Sequence, residues 1–229
     1  MSGRNLYPLA VTPDNIWNYP TRTLTHPPRY IQVGKAFLRV LGVVDSGIFT
    51  APAIGDYDLL VVPPGEVYML YYVGGYGYFY LHDGTNKGDV SFGGGGPGKV
   101  SSFLPLKGGW KVIFSAGGSG RQARALAFKL DPSQVSVIGG VISVSANTEV
   151  KVFEPSSNYR VFMHATTKGD GANAGKIRAY YGNYYPEDLA SGTGNVSWIG
   201  IRDDFSWISI LNEAETAVLC EYVGIEVYF

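Results

Sequence analysis

A chain of 229 residues, 45% apolar and only 16% charged, can bury a real core and lacks the charge-rich, apolar-poor composition of a disordered protein. With 18 basic against 19 acidic residues, net −1, it is not expected to coat nucleic acid by charge, and its single cysteine, Cys220, excludes an internal disulfide framework or a cysteine zinc site. No apolar run approaches the roughly 18 residues of a membrane helix, and the start MSGRNLYPLAVTPDN lacks the basic-then-apolar order of a secretory leader, so neither membrane insertion nor a leader is expected.

Residues 1–39 hold five basic groups against Asp14 alone, a local +4; residues 40–130 carry +1 and residues 131–229 carry −6. Within the basic end, Thr12-Pro13-Asp14-Asn15 has a capping hydroxyl, a proline at the first helical position and an acid in the first turn. Pro20 and the Pro27-Pro28 pair limit any helix there to a turn or two. That short element carries Ile16, Trp17 and Tyr19 beside Arg22 and Arg29, too much apolar surface for a free tail. Residues 1–34 are therefore expected to be a docking arm that either caps the first domain of its own chain or seats on a partner.

From residue 35 onward, β-branched and aromatic runs are cut at short intervals by Gly, Pro, Asn and Asp, a strand pattern throughout. Strands are predicted near 36–44, 57–62, 67–73, 77–81, 99–104, 111–115 and 124–130, then near 135–145, 149–153, 159–166, 176–181, 195–201, 205–211 and 216–229. Only Pro186 to Ala190 could make a helical turn, because no stretch sustains a 3.6-residue apolar period.

The two series read as copies of one module. LLVVPPGEVYMLYYV (59–73) aligns without gaps on KVFEPSSNYRVFMHA (151–165), with Pro63 opposite Pro155. GGWKVIFSAGGSG (108–120) answers DDFSWISILNEAE (203–215), and each copy ends in one more strand, with Asp131-Pro132-Ser133 as the linker. Some eight short strands in about 95 residues is the size of a β-sandwich. The cysteines of an immunoglobulin framework are missing. The expected fold is all-β: two tandem jelly-roll-like sandwiches, 35–130 and 131–229, behind the arm.

The chemical motifs fail on named residues. GGGGPGKVS (93–101) nearly fits a phosphate loop, but Val100 stands where a hydroxyl must ligate magnesium and strand follows instead of helix, so a long glycine hairpin loop is expected. His26, His82 and His164 are too scattered for a metal site; His82-Asp83 suits a turn, and His164 an ordinary strand position. Cys220 lies on an apolar strand where a thiol is inert. The carboxylate pairs Glu187-Asp188 and Asp203-Asp204 suit solvated turns, and no Gly-x-Ser-x-Gly elbow occurs. DGTNKGD (83–89) and TKGDGAN (167–173) hold calcium-type ligands without the spaced acids of a calcium loop. No catalytic, cofactor-binding or metal residue is assigned, and no enzymatic activity is expected. The tyrosines of YYVGGYGYFYLHDG (71–84) and RAYYGNYYPED (178–188) offer wide apolar bodies with polar tips, suited to protein interfaces, to stacking on sugars, or to half-buried strand positions. Tyr76, Tyr78, Tyr184 and Tyr185 are the candidates for surface recognition.

IWNYPTRTLT (16–25) resembles a short I/V-W-x-Y-x-T-R-x-L-T segment of phage virion and tail proteins, and the two modules are similar to small jelly-roll domains of phage and archaeal-virus structural proteins. The resemblance covers ten residues by motif and most of the remainder by pattern, and it brings no catalytic residues. It implies a non-enzymatic virion subunit of turret, spike, vertex or receptor-binding type. Its partners would be other virion proteins, further copies of itself, and a glycan or protein on the host surface. The alternative is a soluble carbohydrate-binding module whose tyrosines line a sugar cleft.

Overall fold

The computed structural model describes residues 28–100, 103–182 and 185–228, with side chains described outside 94–100. Among these residues there is no helix, and the chain folds as antiparallel sheets. The first half contains β1 (Tyr30–Val33), β2 (Ala36–Asp45), β3 (Phe49–Thr50), β4 (Gly55–Val61), β5 (Val67–His82), β6 (Gly93–Val100), β7 (Leu104–Lys107), β8 (Lys111–Ala116) and β9 (Gln122–Leu130). The second half contains β10 (Val135–Val144), β11 (Thr148–Phe153), β12 (Tyr159–Lys168), β13 (Gly175–Tyr180), β14 (Glu187–Gly192), β15 (Asn195–Arg202), β16 (Trp207–Asn212) and β17 (Val218–Val227).

The second half is two four-stranded sheets, ordered β10-β17-β12-β15 and β11-β16-β13-β14. Alternating residues such as Phe162, Ile177, Ile208 and Ile210 bury a core between them. In the first half the main path runs β1-β2-β9-β5-β8-β4, and the sixteen-residue β5 serves two branches. Its residues 67–75 pair with β9, its residues 78–82 with β8, and its other edge takes β6 and β7. The pairings match between halves: β2–β9 with β10–β17, β4–β8 with β11–β16, and the two parts of β5 with β12 and β13.

Several elements differ from the sequence expectation, among them the strand expected at 99–104, which is divided between the end of β6 and the start of β7. The strands predicted at 67–73 and 77–81 are one, because pairing to β9 runs on through Gly74 and Gly75 and β6 and β8 carry the ladder beyond them. The glycine run expected to be a loop is largely β6, pairing with Val73 to Phe79; a small backbone profile lets it lie along a neighbour without a side-chain pattern to announce it. Glu187 to Ala190, the one candidate helical turn, lies in β14, where cross-strand pairing to β13 outweighs the local turn tendency of Pro186-Glu187-Asp188. Of the residues assigned to the arm, Tyr30–Val33 is a strand of the first sheet.

The halves are welded rather than merely linked. One apolar cluster includes Leu81, Leu106 and Trp110 of the first half together with Val135, Val161, Met163, Val223 and Ile225 of the second. Val90, in the loop after β5, is buried in the second half's own core. The outer face of the β10-β17-β12-β15 sheet thus lies against the first half.

Candidate functional site

Three regions gather polar or aromatic side chains into a defined geometry. The first is the seam. The loop after β5 reaches across to β10 and β17, and Asp83 is its anchor. Its Oδ1 accepts from Thr85 N at 2.9 Å and Asn86 N at 2.8 Å, while Oδ2 accepts from Val141 N at 2.8 Å. Burial pushes the Asp83 carboxyl up, but these backbone hydrogen bonds together outweigh it and hold the group below its ordinary 3.8. Further along, Asp89 N donates to Leu219 O at 2.9 Å and Leu219 N donates to Asp89 Oδ2 at 2.7 Å, extending the edge of β17. Deeper still, Glu221 Oε1 accepts from Leu81 N at 2.9 Å, and Glu221 Oε2 lies 2.9 Å from His164 Nε2, both side chains fully buried. His164 is on a strand, as expected, but as half of a buried pair that the sequence alignment gave no hint of.

The second region is the outward face of β5. Tyr76 and Tyr78 are each 49% exposed, with the Arg121 guanidinium 5.7 Å from the Tyr76 ring centre. Gly75, at φ 153°, has no room for a side chain, since a Cβ there would lie 2.2 Å from Gln122 O. Tyr80 carries Lys87 Nζ 4.7 Å from its ring centre, and Lys87 in turn pairs with Asp56 at 2.5 Å.

The third region is the outer face of the β11-β16-β13-β14 sheet. Glu149 accepts from Arg178 Nη1 at 2.9 Å, from Tyr180 Oη at 2.8 Å and from Ser209 Oγ, and Arg178 Nε donates to Asp188 at 3.1 Å. Tyr180 and Trp207 stack with ring centres 4.7 Å apart. The strand alternations Glu149/Lys151, Arg178/Tyr180 and Trp207/Ser209 were the available signal for this network, but only the register shows that the three strands adjoin. Tyr185, 95% exposed, lies in the connection from β13 to β14 near this face. Asp188 of the adjacent acid pair is therefore engaged with Arg178 and Lys176.

Of the expected arm contacts, Ile16, Trp17, Tyr19 and Arg22 lie outside the described residues, as does Tyr184. Arg29 lines a groove of about 490 Å³ with Tyr30, Arg39, Asp131 and Gln134, where the two halves meet. The calcium-type loops spend their carboxylates on backbone: Asp170 Oδ1 accepts from Ala172 N and Asn173 N, as Asp83 does from its own turn. Among the described residues no cluster of three His, Cys, Asp or Glu side chains could hold a metal. Burial pushes the Cys220 thiol up to about 12. Compared with family models, curated proteins and solved structures, the chain matches none of them, so its chemistry rests on its own residues.

Proposed function

We propose that the protein is a non-enzymatic structural subunit of a virus particle, built of two tandem jelly rolls, 35–130 and 131–229. The observation that carries the reading is the repeated pairing. An eight-stranded jelly roll places its first, eighth, third and sixth strands in one sheet and its second, seventh, fourth and fifth in the other. The pairings of β10 to β17 support that order, and the first half supports it through the corresponding β2–β9, β4–β8 and β5 pairings, made there within one nine-stranded sheet. Two such units fused through one apolar cluster make a stiff body suited to repeated packing in a shell. The basic end, with Ile16, Trp17, Tyr19, Arg22 and Arg29, docks on neighbouring virion proteins or on further copies of the chain, and the −6 second half projects outward. Tyr76, Tyr78, Tyr184 and Tyr185 are then candidates for contact with a host glycan or protein.

Particles from cells producing the protein, labelled with antibody to the full chain and imaged by electron microscopy, test the location. Trp17→Ala tests the docking: it should leave the melting temperature unchanged while abolishing incorporation. A destabilised monomer that still incorporates refutes it. The second reading, a carbohydrate-binding module, is favoured by the outward Tyr76 and Tyr78 beside Arg121. Strong binding of the isolated chain on a glycan array, lost in Tyr76→Ala, would establish that reading instead.

A further inference from the structure

The buried pair at the seam has a fixed proton inventory. His164 Nδ1 lies 3.0 Å from the carbonyl oxygen of Trp198, which can only accept, so Nδ1 carries a hydrogen. The 2.9 Å contact between Nε2 and Glu221 Oε2 then needs one proton, held either on the imidazole facing a carboxylate or on a carboxylic acid facing a neutral ring. Both arrangements are net neutral, and both leave Oε1 free to accept from Leu81 N. Losing that proton would set a bare carboxylate against an imidazole lone pair, and gaining a second would leave an uncompensated cation, each in a site closed to solvent. The site is also closed sterically: a Cβ on Gly88 would lie 2.1 Å from Glu221 Oε1, and the Phe92 ring stands edge-on to His164 at 5.9 Å.

We propose that closure of the seam between the two halves captures one proton on the His164–Glu221 pair, making this contact a pH-sensitive latch that holds best in mild acid. In the unfolded chain the two side chains bind two protons below about pH 4.3, one between about 4.3 and 6.5, and none above. The folded pair binds one across both of these boundaries. Burial pushes the Glu221 carboxyl up from its ordinary 4.5, against the pull of His164, and a carboxyl raised on folding contributes stability that is lost as the pH rises. The unfolding equilibrium constant therefore climbs, approaching tenfold per pH unit above about 6.5, until the pair surrenders its proton. It also climbs below about 4.3, where the unfolded chain takes up the second proton.

The charged and titratable groups on the surrounding elements leave this window to the pair. On β5, burial pushes Tyr80 up, and on β17 it pushes Cys220 and Tyr222 up, so all three stay protonated. In the loop, Asp83 is held low and Asp89 is engaged with Leu219, while Lys87 pairs with Asp56. Arg202 of β15 pairs with Glu187, and Lys107 of β7 lies over Trp110. His82 at the end of β5 is the remaining imidazole among the described residues; its Nδ1 accepts from Gly84 N at 3.0 Å.

Urea unfolding of the full chain from pH 5 to pH 9 tests the latch. Glu221→Gln keeps both hydrogen bonds, since the carboxamide donates to Nε2 and its oxygen accepts from Leu81 N, but it removes the shared proton. The wild type should lose up to tenfold in folding equilibrium per unit above pH 6.5 relative to Glu221→Gln, and His82→Asn should keep the wild-type slope. An equal slope in Glu221→Gln overturns the proposal. A measurement on the unaltered protein covers the case in which that variant does not fold: the ¹³C carboxyl resonance of Glu221 should show no titration step at its ordinary value near 4.5. An ordinary titration there overturns it equally.

Discussion

Asp83→Ala removes a carboxylate on which three backbone N–H groups converge, one of them from the other half of the molecule. Thr85 N and Asn86 N are exposed and can turn to water, so their loss costs only about 0.5–1 kcal/mol together. Val141 N is part-buried, and losing its bond to a charged acceptor costs about 1.5–3 kcal/mol. The combined loss is about 2–4 kcal/mol, which for a chain of this size, with an unfolding entropy of about 0.5 kcal/mol/K, lowers the melting temperature by roughly 4–8 °C. Because the folded Asp83 carboxyl lies below 3.8, its contribution is present above that pH and is lost as the pH falls through the folded value. The deficit of the variant should accordingly be full at pH 7 and shrink in acid below about 3.8. Asp83→Asn keeps one oxygen for the turn but sets an amide against Val141 N, so it should recover only part of the loss. Calorimetry on the three proteins at pH 7 and pH 3 decides it. Melting temperatures within a degree of one another at pH 7 would refute the anchoring role.

The whole chain should melt in one transition, while residues 132–229 alone, with Val161, Met163, Val223 and Ile225 uncovered, should melt lower or associate, as light scattering and calorimetry will show. Two separate transitions in the whole chain would contradict the shared core. Calcium, EDTA and ATP should leave the melting temperature within error, since Asp83 and Asp170 spend their oxygens on backbone N–H groups; a calcium-induced rise of several degrees would reverse that view. Cys220 should resist thiol reagents in the native protein at pH 8 and react fully in urea, a contrast that an absorbance assay reads directly.

Alternation and turn chemistry were sufficient to locate most of the strands. The runs at 111–115, 124–130, 149–153 and 159–166 are bounded by Gly, Pro and polar turns, and each lies within or close to its strand. The offset between Pro63 and Pro155 likewise carried over into equivalent β4-to-β5 and β11-to-β12 turns, because a proline after a strand marks the same local geometry in both copies. β6 and β14 escaped because their propensities point elsewhere: a glycine run has no side-chain period, and Pro186-Glu187-Asp188 reads locally as a turn. The partner strand alone makes them strands.

The candidate sites divide in the same way. Exposed tyrosines on β5 follow from the period of two, with glycine alternating against Tyr76 and Tyr78, and were legible in the sequence. The seam was not. His164 and Glu221 are 57 residues apart, and Asp83 and Val141 are 58 apart, separations at which nothing in the local sequence encodes contact. An imidazole on an apolar strand and an acid in a glycine turn look like ordinary strand and loop residues until the second sheet closes over them. Composition and periodicity determined that this chain would be all-β and built from repeated strands. Only the packing of one half on the other decided which polar groups lost their water, and it is that loss of solvent that turns a histidine and a glutamate into a proton-holding pair.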